Sequence, residues 1–318
     1  MTYQGKLTDV PGFRLGHAQN EAWGTGVTVI LPPQGSTGGV EVRGGAPGSR
    51  ETDLLRPENA VSEVHAVVLS GGSAYGLEAA SGVMNELGEQ GIGFETGFAK
   101  VPIVCSAVLY DLGVGQVKWP DLAMGREAVI NASSDDHSQG NVGAGTGCSV
   151  GKIAGMDRAM KSGLGQASLQ VDDLIVSCVI AVNAVGDIRD PEAGNRPIAG
   201  LLDREGRYAS TIDFLTSDEK GADLMGKNTT IGCIATNARL EKAQTLKVCQ
   251  MGQDGLARAI EPVHTLFDGD SLFCLASNQV EAEPNLVGIL AAKVVQRAIV
   301  NAGESAQEAY GLKAHASL

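Results

Sequence analysis

The segment Leu174 to Val182 constrains this chain more than any other, because it is β-rich and apolar apart from Ser177. A strand with one wet face alternates polar and apolar residues. An unbroken apolar run needs cover on both faces. The chain must therefore fold in layers, and the remaining pattern agrees, alternating strands and helices without a repeat or low-complexity linker. Val27 to Leu31 is predicted as a strand stopped by Pro32-Pro33. Ala66 to Leu69 is a short buried strand, after which Gly71-Gly72-Ser73 opens a helix with Leu77, Ala80, Met84 and Leu87 on one face. Ser271 to Ala276 is an apolar strand, and Leu286 to Ala302 is an apolar helix expected to stop at Gly303. Between Asp213 and Asn228 the chain turns polar, with Asp218-Glu219-Lys220-Gly221, as expected of an exposed loop. The expectation is one layered α/β domain over residues 1–318.

Composition narrows the function. A net charge of −13 argues against nucleic acid, since phosphate binding needs surplus Lys and Arg. It mildly suits a substrate carrying an ammonium group. The 43 glycines are near twice the usual share of about 7%, so backbones approach one another or a ligand closely. Six cysteines (Cys105, Cys148, Cys178, Cys233, Cys249, Cys274) show no C-x-x-C pairing and fit small buried hydrophobes in a reducing compartment. Met1 to Gly16 has no basic region followed by an apolar core, and no stretch approaches the ~18 apolar residues of a membrane span. A cytoplasmic protein without membrane contact is expected.

Three familiar signatures nearly appear. A phosphate-binding loop ending at Lys152 would need Gly where Thr146 stands, and Ser or Thr where Ile153 stands. A G-x-G-x-x-G through Gly143 and Gly145 fails at Cys148. Gly147-Cys148-Ser149-Val150-Gly151 does match a nucleophile elbow, and His264 is the one histidine suited to a triad with Ser149. An elbow needs a preceding strand, however, and Asn141 to Gly147 has little β-propensity. His17, His65, His137, His264 and His315 show no metal-ligand spacing, and neither metal nor cofactor is expected.

Asn228-Thr229-Thr230 running into the apolar Ile231 to Ala235 carries more chemistry. Attack by the Thr229 hydroxyl on the Asn228 carbonyl would give an ester. Its hydrolysis would leave Thr229 as a new N-terminus, with nucleophile and amine base on one residue. Downstream, Asp268-Gly269-Asp270 opens onto the strand Ser271 to Ala276. In a strand, residues two apart share a face, so both carboxylates would project together, with Gly269 leaving room beside them. Two such carboxylates cannot both ionise freely, and one pKa should rise.

Asn228-Thr229-Thr230-Ile231-Gly232, followed by Ile234-Ala235-Thr236, resembles the self-cleavage site of the DmpA-type aminopeptidases, which include the β-aminopeptidases and the NylC nylon-oligomer hydrolases. Val42 to Leu55 (with Arg43-Gly44-Gly45-Ala46-Pro47-Gly48-Ser49-Arg50), Gly71 to Leu77 and Gly143 to Lys152 are similar to further family motifs, in the same order. The likeness runs from about Val10 to the final helix. Asn before the scissile bond and Thr after it are nearest to the nylon-oligomer hydrolases. Cys233 and Ser49 depart from some relatives without touching a proposed catalytic atom.

The resemblance implies a four-layer α/β/β/α sandwich similar to N-terminal-nucleophile hydrolases. It implies a chain cut into 1–228 and 229–318, and a homo-oligomer of four or more copies. By the same likeness Thr229 is the nucleophile, Lys152 the catalytic lysine, and Asn183 an oxyanion donor. Asp268 and Asp270 orient the threonine hydroxyl and amine, and Tyr110 contacts substrate. The implied substrates are small peptides, amino-acid amides or linear amide oligomers such as those of 6-aminohexanoate. Two other readings stay open: the serine hydrolase built on Ser149 and His264, and a non-catalytic amine binder on the same fold.

Overall fold

The fold is taken from a computed structural model that describes residues 5–218 and 227–318. Ten strands build its two main sheets. They are β1 (Arg14–Asn20), β2 (Thr25–Leu31), β3 (Thr37–Val42), β4 (Ser49–Arg50), β5 (Ala66–Ser70), β6 (Val104–Val108), β7 (Leu164–Val171), β8 (Leu174–Asn183), β9 (Thr229–Ala238) and β10 (Ser271–Val280). The helices are α1 (Glu78–Glu89), α2 (Leu122–Ile130), α3 (Thr211–Leu215), α4 (Lys242–Ala259) and α5 (Pro284–Glu304).

The first sheet runs β1-β2-β5-β6-β4 and the second β7-β8-β9-β10-β3. Across each sheet the neighbours pair antiparallel, antiparallel, parallel, antiparallel. A parallel pair cannot be joined by a tight turn, and helices make both crossovers: α1 lies between β5 and β6, α4 between β9 and β10.

Period-2 alternation then sorts the side chains into layers. Val67, Leu69, Cys105 and Ala107 of the first sheet meet Val179, Ile231, Cys233 and Phe273 of the second in an inter-sheet core. The opposite faces of β8, β9 and β10 (Cys178, Ile180, Ile234, Leu272) pack on Val248 and Leu256 of α4 and Leu290 and Val294 of α5. Val27, Val29, Ala66 and Val68 face Ala80, Val83 and Leu87 of α1 and Ala128 of α2. These layers are the expected α/β/β/α sandwich. Each fully buried Val, Leu, Ile or Phe contributes about 1.5–3 kcal/mol, so the unbroken apolar run of β8 is well used.

Several sequence expectations need correction. Leu77 is half-buried in a 3-10 stretch (Ser73–Leu77) ahead of α1, whose buried face is Ala79, Ala80, Val83 and Leu87. Helix α5 passes through Gly303 and ends after Glu304. A Cβ at Gly303 would lie 2.7 Å from Ile198 Cγ2, so close packing explains this glycine better than helix termination. Contrary to the hydropathy reading, α5 is long and apolar enough by length and composition to cross a membrane. It is largely buried, and its apolar face is part of the core against the second sheet. The six cysteines are free and buried, as anticipated. Of the expected loop, Asp213 lies in α3, while 219–226 fall outside the described residues.

Candidate active site

The site forms where β8 ends and β9 begins. Antiparallel pairing places Asn183, the last residue of β8, opposite Thr229, the first of β9. Asn228 is bridged in parallel to Asp268, just ahead of β10. Every group brought together here is buried: Asn183, Asn228, Asp268 and Asp270 are 0% exposed, Lys152 3% and Thr229 4%. Six polar side chains out of water, three of them ionisable, need dense compensation.

The Thr229 hydroxyl donates to the carbonyl oxygen of Asn228. That same oxygen accepts the Gly269 N–H at 2.9 Å. Gly269 must be glycine, because a Cβ there would lie 2.8 Å from Thr229 Oγ1 and 2.7 Å from the Ala46 carbonyl oxygen.

Lys152 follows Gly151, whose left-handed φ of +69° turns the chain beneath Gly200 and Leu201, where a Cβ would collide with backbone. The Lys152 ammonium donates to the Asn183 carbonyl at 2.9 Å, to Asn183 Oδ1 at 3.0 Å and to the Lys227 carbonyl at 3.2 Å. It thus lies beside the backbone leading to Asn228-Thr229. Burial brings its pKa down to about 7, against the opposing influence of Cys148, Asp268 and Asp111.

Asn183 Oδ1 also accepts the Ser149 N–H at 3.1 Å, and Nδ2 donates to the Tyr110 carbonyl at 2.8 Å. The donors around Oδ1 fix the amide orientation. Tyr110 reaches this cluster through its backbone carbonyl.

The Asp-Gly-Asp turn departs from the strand geometry expected of it. β10 begins only at Ser271, and the two carboxylates diverge. Asp268 accepts from Thr265 Oγ1 (2.6 Å), Thr265 N (3.1 Å) and Val185 N (3.4 Å). Asp270 accepts from Thr230 N (2.7 Å), His264 N (3.1 Å) and His264 Nδ1 (2.9 Å). Burial, then the charge of Asp270, raises the Asp268 pKa to about 6. The Arg43-Gly44-Gly45-Ala46 motif pins this turn: Arg43 N donates to the Asp270 carbonyl at 3.0 Å and Ala46 N to the Asp268 carbonyl at 2.8 Å.

The Ser149–His264 triad is not assembled. Ser149 is 1% exposed, with its hydroxyl 3.5 Å from Asn183 Oδ1. His264 is committed to Asp270 through Nδ1, and the segment directly ahead of Gly147 is a 3-10 turn (Gly143–Gly145), not a strand.

Sequence reasoning missed three contributors. Asp111, 2% exposed, accepts from Thr25 Oγ1 at 2.6 Å and Gly72 N at 2.7 Å, and burial raises its pKa to about 6. Its position directly after Tyr110 was the only local hint. The His264–Asp270 contact and the Gly269 N–H arise from turn geometry that no side-chain pattern encodes. Beside Asp111, Tyr75 stacks on Trp119 at 4.3 Å, and Gly72 passes close beneath Trp119.

The chain is similar to known proteins in sequence and in fold. The family model described as peptidase family S58 matches residues 5–317. An "uncharacterized aminopeptidase" of Mycobacterium leprae (strain TN) is 40% identical, the match covering 87% of this chain and 79% of that protein. A 6-aminohexanoate-oligomer endohydrolase of Kocuria sp. (strain KY2) is 34% identical, covering 86% and 75%. Among solved structures, a Burkholderia sp. β-aminopeptidase superposes with a TM-score of 0.71 at 19% identity, covering 98% of this chain and 91% of that one. The L-aminopeptidase D-Ala-esterase/amidase of Ochrobactrum anthropi, a variant of the Ntn-hydrolase fold, gives 0.67 at 19%, covering 95% and 86%. On the match along nearly its whole length, this chain belongs to peptidase family S58 and is a hydrolase of the peptidase class.

Proposed function

We propose that this chain cuts its own backbone between Asn228 and Thr229 and then uses Thr229 as an N-terminal nucleophile against amides. The observation that carries the reading is the pairing of the Thr229 hydroxyl with the Asn228 carbonyl, whose oxygen is already held by the Gly269 N–H.

In the first step Thr229 Oγ bonds to the Asn228 carbonyl carbon and the hydroxyl proton passes to a base. Negative charge collects on the Asn228 oxygen, where the Gly269 N–H stabilises it without reorganisation. The C–N bond then breaks, the Thr229 nitrogen takes a proton, and an ester remains. Water hydrolyses it to an Asn228 carboxylate and a free Thr229 amine. Lys152, with its pKa near 7, is the base we favour. In turnover Thr229 Oγ attacks a substrate amide, the amine product leaves with a proton, and water releases the acid from acyl-threonine. The free Thr229 amine, with an ordinary pKa near 7.7–8.0, joins Lys152 as a proton acceptor. Asp270 holds Thr230 N, and so the start of β9, in register.

The names of the 40% and 34% identical relatives support small peptides and linear amide oligomers as substrate classes. We also propose a single domain nicked into 1–228 and 229–318, working as a cytoplasmic homo-oligomer of four or more copies.

The test is intact mass. Wild-type protein should separate on a denaturing gel into 1–228 and 229–318, and Thr229→Ala should stay whole, folded and inactive toward amino-acid amides and oligoamides. A wild-type chain that hydrolyses amides while unbroken refutes the proposal.

A further inference from the structure

A partly open cavity of about 240 Å³ lies at the end of the first sheet away from Tyr110, where β1 starts, β2 ends and α1 runs out. None of its lining residues belongs to the Thr229 site. In a chain of net charge −13 this lining is cationic: Arg14 and Lys100 contribute to it, and it contains no Asp or Glu. Among the described residues, neither Arg14 nor Lys100 makes a side-chain hydrogen bond or ion pair. A half-buried guanidinium without a counter-charge, still reached by water, is a ready partner for a carboxylate.

The same cavity is lined by His65, which is 6% exposed. Its Nδ1 accepts the Ile103 N–H at 3.0 Å, so the neutral ring carries its proton on Nε2. Burial, opposed by the charge of Glu63, lowers the His65 pKa and keeps the ring neutral. The nearest acid to Nε2, Glu63 Oε1, is 3.8 Å away and already accepts the Gly35 N–H at 2.8 Å. At 3.8 Å that carboxylate is beyond hydrogen-bond reach, and the His65 Nε2–H makes no hydrogen bond to the described residues. The lining also includes the apolar side chains of Leu31, Val64 and Leu87. That volume holds several waters, room enough for a short acid.

We propose that this cavity binds a small monocarboxylate bearing a short unbranched alkyl chain. Its headgroup meets Arg14, Lys100 and the His65 Nε2–H, and its chain lies on Leu31, Val64 and Leu87. The site goes beyond the amidase reading and stands without it.

Titration calorimetry with pentanoate, and with pentylamine as a probe of equal shape and opposite charge, tests it on the full-length protein. Pentanoate should bind with one site per chain and pentylamine should not. Arg14→Gln and Lys100→Gln should each weaken pentanoate at least tenfold while leaving the unfolding midpoint without ligand and any amide turnover unchanged. Equal binding of both probes, or unchanged pentanoate affinity in the double variant, overturns the site. So does pentanoate binding that is lost in Thr229→Ala, since the ligand would then occupy the hydrolytic centre. A protein without amidase activity that still binds pentanoate through Arg14 would sink the proposed function and leave this site standing.

Discussion

Lys161 lies in a small ribbon, in which Ser149–Val150 pairs with Met160–Lys161, Lys152 follows that ribbon's first strand by two residues, and by burial the two lysines are near twins. Burial lowers the pKa of the first to about 7 and of the second to about 8. What separates them is where the ammonium points. Lys161 donates to three backbone carbonyls, those of Gly145, Cys148 and Ser162, so it ties the glycine-rich segment together and touches nothing reactive. Lys152 shares its protons between Asn183 and the Lys227 carbonyl, one residue short of Asn228-Thr229. A depressed lysine pKa alone therefore does not mark a catalytic residue; its hydrogen-bond partners do.

Replacing each lysine by Met separates the two roles most widely. Lys152→Met should remain folded and lose self-cleavage and amide turnover by about 10²- to 10⁴-fold, the range for removal of a general base. Lys161→Met strands three carbonyls and should lose about 2–4 kcal/mol of stability while cutting within tenfold of wild type. Denaturant unfolding beside a gel time course distinguishes them. A folded Lys161→Met that fails to cut would erase the contrast.

Next in size is Gly269→Ala, which leaves both lysines intact. Its Cβ would crowd Thr229 Oγ1 and the Ala46 carbonyl, shifting the Gly269 N–H from the Asn228 oxygen. A displacement of about 1 Å at a reacting centre costs roughly 10²-fold in rate. Cutting at the wild-type rate would remove this N–H from the chemistry.

pH sharpens the comparison further. If neutral Lys152 takes the proton, the rate should climb roughly tenfold between pH 6 and 8 and level off above its pKa near 7. A rate falling over that range would make the charged form the active one. Lys161 should appear in stability alone, whereas Lys152, whose folded pKa is lowered in the same direction, should appear in both rate and stability. The folded pKa of Lys161, about 8, lies below the ordinary 10.5, so between those values the unfolded chain binds more protons and stability rises with pH. Lys161→Met should lose its own share of that rise and keep the share of Lys152.

The same two lysines show how far the sequence could be read. Lys152 was found because it closes a long glycine-rich motif whose family likeness also located Thr229, Asn183 and the Asp-Gly-Asp turn. Lys161 sits in Met160-Lys161-Ser162, a string with no local pattern, and only tertiary packing buries it. β8 and β9 were legible because burial on both faces requires continuous apolar sequence. Asp111 and Gly303 were not, since each is defined by a neighbour distant in sequence: Thr25 for the carboxylate, Ile198 for the missing side chain. The Asp268–Asp270 geometry was misjudged for a related reason. Period-2 reasoning holds inside a strand, and the turn lies just outside one.

The smallest expected effect belongs to Ser149, which shares the ribbon with Lys161 and contacts the same Asn183 oxygen as Lys152. Its N–H holds Asn183 Oδ1 at 3.1 Å, whereas its hydroxyl is at the 3.5 Å limit of a hydrogen bond. Ser149→Ala keeps the backbone donor and removes only the weak contact. Cutting and turnover should therefore change less than about twofold, and stability by no more than about 0.5 kcal/mol. An elbow-type serine hydrolase would instead lose essentially all activity on this change. A loss above about 10²-fold in a folded, correctly cut Ser149→Ala protein would move the nucleophile from Thr229 to Ser149 and break the distinction drawn between the lysines, because Lys152 would then serve a different hydroxyl.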